Sequence, residues 1–196
     1  MSGIGRRLAP GLAALVLAGI VAACGSATPT SSGQTAVPSL SHYQGDDIAF
    51  DYPGTWNAAS FPVMSSFSNV LVFLSTSALA DPCDRTANSI ACVRSAATSL
   101  EPGGVLVQWS RNGFPGWTFD RSRGKPLTVG GRSASIEDLE PAEPCQMIGG
   151  TRELVVTIPD PEANMNWTEA RACIAGPVAG TETQVAGMLK TVAFLR

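Results

Sequence analysis

The chain has 196 residues, with 13 Lys and Arg against 16 Asp and Glu and a formal charge of −3. That length fits one ordinary domain, and the acidic balance argues against a nucleic-acid partner, because phosphate recognition needs clustered Lys and Arg. The lone histidine, His42, leaves Ser–His–Asp hydrolysis without a well-placed base.

In chain order, Arg6 and Arg7 precede the apolar stretch Leu12 to Ala23, which ends in small residues and then Cys24-Gly25. This is the layout of a secretory signal peptide. The stretch is too short for a stable membrane span, which needs about 20 apolar residues. Val21-Ala22-Ala23-Cys24 resembles a bacterial lipobox. The resemblance implies cleavage after residue 23 and a diacylglyceryl group on the Cys24 sulfur. Two acyl chains give stable anchoring where one does not. Loss of Arg6 and Arg7 takes the formal charge from −3 to −5. Only Lys125 and Lys190 are lysine among the basic residues. With the lipobox, that bias suggests a high-GC Gram-positive envelope lipoprotein.

Residues 24–41, rich in Ser, Thr, Gly and Pro, cannot build a core and read as a lipidated flexible tether of about 20–25 Å. One globular domain is expected over 42–196. Ile48, Phe50 and Tyr52 alternate along a strand that Pro53-Gly54 ends. Val70 to Leu74 is apolar on both faces, as in a strand covered on both sides. Asp81 to Arg94 is a polar loop holding two cysteines, and Val105 to Trp109 is another strand. Residues 113–119 form an aromatic loop, Arg121 to Lys125 a basic run, and Leu127 to Leu139 a strand–turn–strand about Gly130-Gly131. Pro141 to Pro144 is a turn, and Leu154 to Ile158 pairs antiparallel with Trp167 to Ile174.

The last element is a helix with Thr181 as N-cap and Gln184 reaching back in a capping box. Its apolar stripe is Val185, Met188, Leu189 and Val192. A final strand through Phe194 closes the chain. The string I-A-F-D-Y-P-G-T-W from Ile48 to Trp56, the turn at Val129 to Ala134 and the closing helix and strand are similar to PsbP-like lipoproteins. The fold class expected is therefore α+β: a mainly antiparallel sheet with a packed C-terminal helix, PsbP-like.

Besides Cys24, the cysteines are Cys83, Cys92, Cys145 and Cys173. An even set in an exported chain reads as disulfides, and the preferred pairing joins neighbours along the chain, Cys83–Cys92 and Cys145–Cys173. Zinc and redox motifs lack their C-x-x-C pair. Asp46, Asp47 and Asp51 miss the spacing of a calcium loop and read as solvated residues. No catalytic set, cofactor or metal site is implied.

The candidate binding site is aromatic: Trp109, Phe114, Trp117 and Phe119, with Arg111, Arg121 or Arg123 beside it for an acidic or sugar ligand. The competing reading is that these rings complete the core. The expected function is a non-enzymatic ligand- or partner-binding module on the extracytoplasmic face of the membrane. The partners are the membrane itself, through Cys24, and an envelope ligand or protein. The alternatives are an envelope enzyme acting on glycan or lipid through a carboxylate pair, and an assembly factor.

Overall fold

Val105-Leu106-Val107 and Leu154-Val155-Val156 are nearly continuous apolar runs, and a strand of that kind needs cover on both faces. The structure, a computed structural model, provides it. It describes residues 39–86, 89–92, 94–160, 166–177 and 179–195, which fall within one compact unit spanning 37–196.

The chain opens with β1 (Leu40–Gln44), β2 (Ile48–Pro53) and β3 (Asn57–Ala59), then β4 (Ser68–Ser75). A short hairpin follows, β5 (Cys83–Arg85) and β6 (Ile90–Cys92). Next come β7 (Val105–Asn112), β8 (Lys125–Val129), β9 (Arg132–Leu139) and the short helix α1 (Glu143–Met147). The last elements are β10 (Arg152–Pro159), β11 (Trp167–Ile174), α2 (Ala179–Lys190) and β12 (Ala193–Phe194). The main sheet has seven strands in the order β3-β4-β7-β11-β10-β9-β8, and every neighbouring pair is antiparallel. A smaller sheet, β1-β2-β12, lies with α2 over one of its faces. The architecture is thus mainly antiparallel sheet with a packed C-terminal helix.

Alternation along the strands sorts side chains onto two faces. Val72, Leu74, Val107, Trp109, Val156, Ile158, Ala170 and Ile174 meet Ile48 and Phe50 of β2 and Val185, Met188 and Leu189 of α2 in the larger core. Phe73, Leu106 and Cys173 face the other way and meet Ala96, Ala97, Leu100, Cys145 and Ile148 in a smaller core. Deleting one of these side chains, as in Leu74→Ala, leaves a cavity and costs about 2–5 kcal/mol.

Both disulfides join neighbours along the chain. Cys83–Cys92 lies directly across the β5–β6 register, with Cα atoms 3.9 Å apart. Cys145–Cys173, with Cα atoms 5.5 Å apart, ties α1 to β11 inside the smaller core. Gly150 makes room for it, since a Cβ there would collide with both sulfurs.

Four local expectations are corrected. The first strand starts at Leu40, two residues before the expected domain start, because β2 offers it a paired edge. The turn expected at Pro141 to Pro144 opens α1, with Pro144 near its start where a missing N–H costs nothing. The stapled loop expected over Asp81 to Arg94 does carry its Cys83–Cys92 bond, but its chain pairs as a short hairpin. Helix α2 begins at Ala179, so Thr181 is not its N-cap. The buried Thr181 hydroxyl donates instead to the carbonyl of Gly103 at 2.8 Å. Tertiary packing took the residue that local spacing assigned to a cap.

Candidate functional site

The connection from β7 to β8 decides where the aromatic residues lie. β7 is third in the sheet and β8 is the far edge, so residues 113–124 must pass across β11, β10 and β9. They pass on the face opposite the larger core. Trp117 stacks on Trp167 of β11, ring centroids 4.5 Å apart and planes 19° from parallel. Phe119 follows at 6.4 Å from Trp117. Arg123 pairs with Glu137 of β9 at 3.2 Å. The loop is thus a strap over the outer face of the sheet.

Local hydrogen bonds fix the strap's ends. The Gly113 N–H donates to the Phe67 carbonyl at 2.9 Å, and the Trp117 N–H donates to the Phe114 carbonyl at 3.1 Å. The Phe114 N–H donates to Asn166 Oδ1 at 2.7 Å. Asp120 accepts from the Ser122 hydroxyl and N–H at 2.7 and 2.9 Å, and these bonds hold its carboxyl below the usual range. Gly124 has φ +75 and lies so close to β9 that a Cβ would strike the Ile136 carbonyl.

The expected aromatic set divides between the two faces. Trp109 is fully buried, on the larger core, stacked on Phe50 at 5.4 Å. Arg111 lies on that same face, 3.1 Å from Asp47 and 3.9 Å from Asp160. Asp160 in turn reaches Arg132 at 3.1 Å, whose guanidinium sits 4.0 Å over the Phe194 ring. Trp109 and Arg111 are therefore corrected to structural residues: strand alternation points them inward. Asp47, read as solvated, is mostly buried in this ion chain, at 14% exposure.

Phe114, Trp117 and Phe119 remain at the surface. Phe114 is 54% exposed and packs against Phe67, itself 49% exposed, at 5.1 Å. Two aromatic groups therefore lie outside both cores: Phe67–Phe114 at the start of the strap, and Trp117–Trp167–Phe119 on the outer face. In the sequence Trp167 marks only a strand start and Phe67 stands in no motif. Neither has a local signal, because the contacts span 47 and 50 residues of chain.

Beyond the strap, Arg171 of β11 bridges two carboxylates on the same face. It donates to Glu153 at 2.9 Å and to Glu169 at 3.0 Å. Burial opposes its charge, but the two glutamates outweigh that and raise its pKa. Glu153 is nearly buried and also accepts from the Ala142 N–H at 3.0 Å. Arg171 and Glu153 border a cleft of about 280 Å³ to which Cys92, Cys145 and Cys173 also contribute. A second cavity of about 320 Å³ lies at the end of the strap, between Phe119, Arg121 and the β8–β9 hairpin.

Among the described residues no three His, Cys, Asp or Glu side chains are grouped to hold a metal ion, and no helix is long and apolar enough to cross a membrane. Cys24, the segment before it and most of the expected tether lie outside the described residues. Compared with protein-family models, with curated proteins and with solved structures, the chain matches none of them.

Proposed function

We propose that this chain is a membrane-anchored extracytoplasmic lipoprotein, held by lipid on Cys24, that acts as a non-enzymatic ligand- or partner-binding module of the cell envelope. Its domain is read as PsbP-like in outline. The Ile48 to Trp56 corner, the Gly130-Gly131 turn and the closing helix and strand support that outline. The observation that carries the binding reading is the aromatic surface along the strap. Phe67 and Phe114 stay about half exposed although both cores are complete without them. Exposed aromatic side chains left outside a complete core mark interaction sites. The enzyme alternative needs a convergent pair of free carboxylates, and the outer-face glutamates Glu153 and Glu169 are both engaged by Arg171.

Two measurements test the reading. The Cys24→Ser variant is expected to leave the membrane fraction for the medium, with no acyl mass on the purified chain. Retention of Cys24→Ser in the membrane removes the lipid anchor from the proposal. A photo-crosslinking phenylalanine analogue at Phe114, in the full chain in its native membrane, is expected to give one discrete, saturable adduct. The same analogue at exposed Met147 of α1 serves as control. Equal labelling at both positions, or none at Phe114, removes the aromatic surface as the binding site.

A further inference from the structure

The cavity at the end of the strap has a lining of mixed chemistry. The residues that line it include Phe119, Arg121, Thr128, Ser133 and Ser135. The three hydroxyl residues belong to the β8–β9 hairpin. Thr128 lies across from Ser133 in the register, and Ser135 follows two residues on, across from Pro126. Alternation therefore sets all three on the outer face, along one pleat row and its neighbour. Ser135 is only 4% exposed, whereas Thr128 and Ser133 face solvent, and among the described residues no protein group hydrogen-bonds to any of the three hydroxyls. Arg121 likewise makes no ion pair among the described residues, whereas Arg123 is held by Glu137 and Arg111 by Asp47.

Hydroxyls without a protein partner are satisfied by water or by a ligand. A hydroxyl both donates and accepts, so a row of three matches a ligand that is itself rich in hydroxyls. An apolar ligand would cover them without offering a hydrogen-bond partner. Phe119 supplies a flat apolar wall, which suits the C–H face of a sugar ring. Arg121 presents a fork of donors that fits a carboxylate in two parallel bonds. The volume, about 320 Å³, is at the small end of ordinary ligand sites, about 300–1,000 Å³, and suits a single ring rather than an extended chain.

We infer that the cavity between Phe119, Arg121 and the Thr128–Ser133–Ser135 row is a binding subsite for an acidic sugar, a pyranose bearing a carboxylate. The sugar face stacks on Phe119, its hydroxyls bond to the three side-chain hydroxyls, and its carboxylate meets Arg121. This deepens the ligand-binding reading above and rests on it. It also assigns the basic partner: of the three arginines near the aromatic loop, Arg121 is the one that other side chains leave available.

Saturation-transfer NMR on the detergent-solubilised full chain tests this, with D-glucuronate as probe and D-glucose and inorganic phosphate as comparisons. Saturation is expected to reach the ring protons of both sugars, with glucuronate binding about tenfold more tightly. Arg121→Gln is expected to bring glucuronate down to the level of glucose. Ser133→Ala with Ser135→Ala is expected to abolish both, with circular dichroism unchanged. Phe119→Ala is expected to do the same. Phosphate that displaces glucuronate while glucose shows no transfer makes this a plain anion site and overturns the proposal. So does absence of transfer to either sugar at tens of millimolar, or binding that survives the double serine variant. A chain that fails here but still forms the adduct at Phe114 keeps the binding reading and loses only the sugar. A chain that fails both loses both.

Discussion

Trp117 and Trp167 stack at 4.5 Å, and this pair clamps the strap that leaves β7 to the first residue of β11. The strap carries the candidate ligand surface, so the clamp sets how rigidly that surface is presented. Trp117→Ala removes the stack without opening either core. We expect a loss of about 1–2 kcal/mol in urea unfolding, together with faster proteolysis between residues 113 and 124. A fall in stability with unchanged proteolysis would mean that the strap is held elsewhere.

The two disulfides should separate by reactivity. Cys92 is exposed, whereas Cys145 and Cys173 are each 5% exposed within the smaller core. Mild reduction followed by alkylation is expected to label Cys83 and Cys92 first, as peptide mass spectrometry reads it. In the chain-entropy model, closing 28 residues between Cys145 and Cys173 is worth about 3.6 kcal/mol. Closing the nine between Cys83 and Cys92 is worth about 2.6 kcal/mol. Replacing both cysteines of a pair by Ala is expected to follow that order. Equal losses would show that loop length does not set what each bond contributes.

The ion chain Asp47–Arg111–Asp160–Arg132 links the turn before β2 to the main sheet. Arg111→Met keeps the bulk and removes the charge between two carboxylates. Removing one member of a mostly buried set costs about 3 kcal/mol, measurable as a lower urea midpoint. A change near zero would show that the chain is solvated and structurally idle.

Acid should act through Asp138. Arg152 donates to it in two bonds, at 2.6 and 2.5 Å, and these hold its carboxyl below the ordinary value of 3.8. A depressed folded pKa gives stability that is present above the unfolded value and lost as pH falls through the folded one. The pair is half exposed, so solvent screening limits its worth to under about 1 kcal/mol. Asp138→Asn is therefore expected to cost that small amount at pH 7 and nothing near pH 2. Equal destabilisation at both pH values would assign the effect to packing instead.

Local sequence carried much of the fold. The alternation in Ile48–Tyr52, the two-sided apolar run Val70–Leu74 and the pairing of Leu154–Ile158 with Trp167–Ile174 all appear as strands. Each has a short-range signal, a period of two or a continuous apolar run. The stripe Val185, Met188 and Leu189 is buried as its helical spacing implies. Strands β1 and β3 carry no such signal, because they are short edges whose partners are supplied by other strands.

The candidate site was legible in part. That aromatic residues cluster between Trp109 and Phe119 was plain from the sequence, but which of them face solvent was not. One residue of alternation sends Trp109 and Arg111 inward, while the strap lays Trp117 and Phe119 on the opposite face. Their surface partners Phe67 and Trp167 arrive from distant strands, and the hydroxyls of Thr128, Ser133 and Ser135 mean nothing until β8 and β9 pair. Strand periodicity, the helical stripe and the nearness of the cysteines along the chain are local properties, since each depends on spacing within one segment. Which rings form a surface, and which arginine is available to a ligand, came only with the folded arrangement of the strands. Those properties depend on strand order, and contacts between segments far apart in the chain set that order.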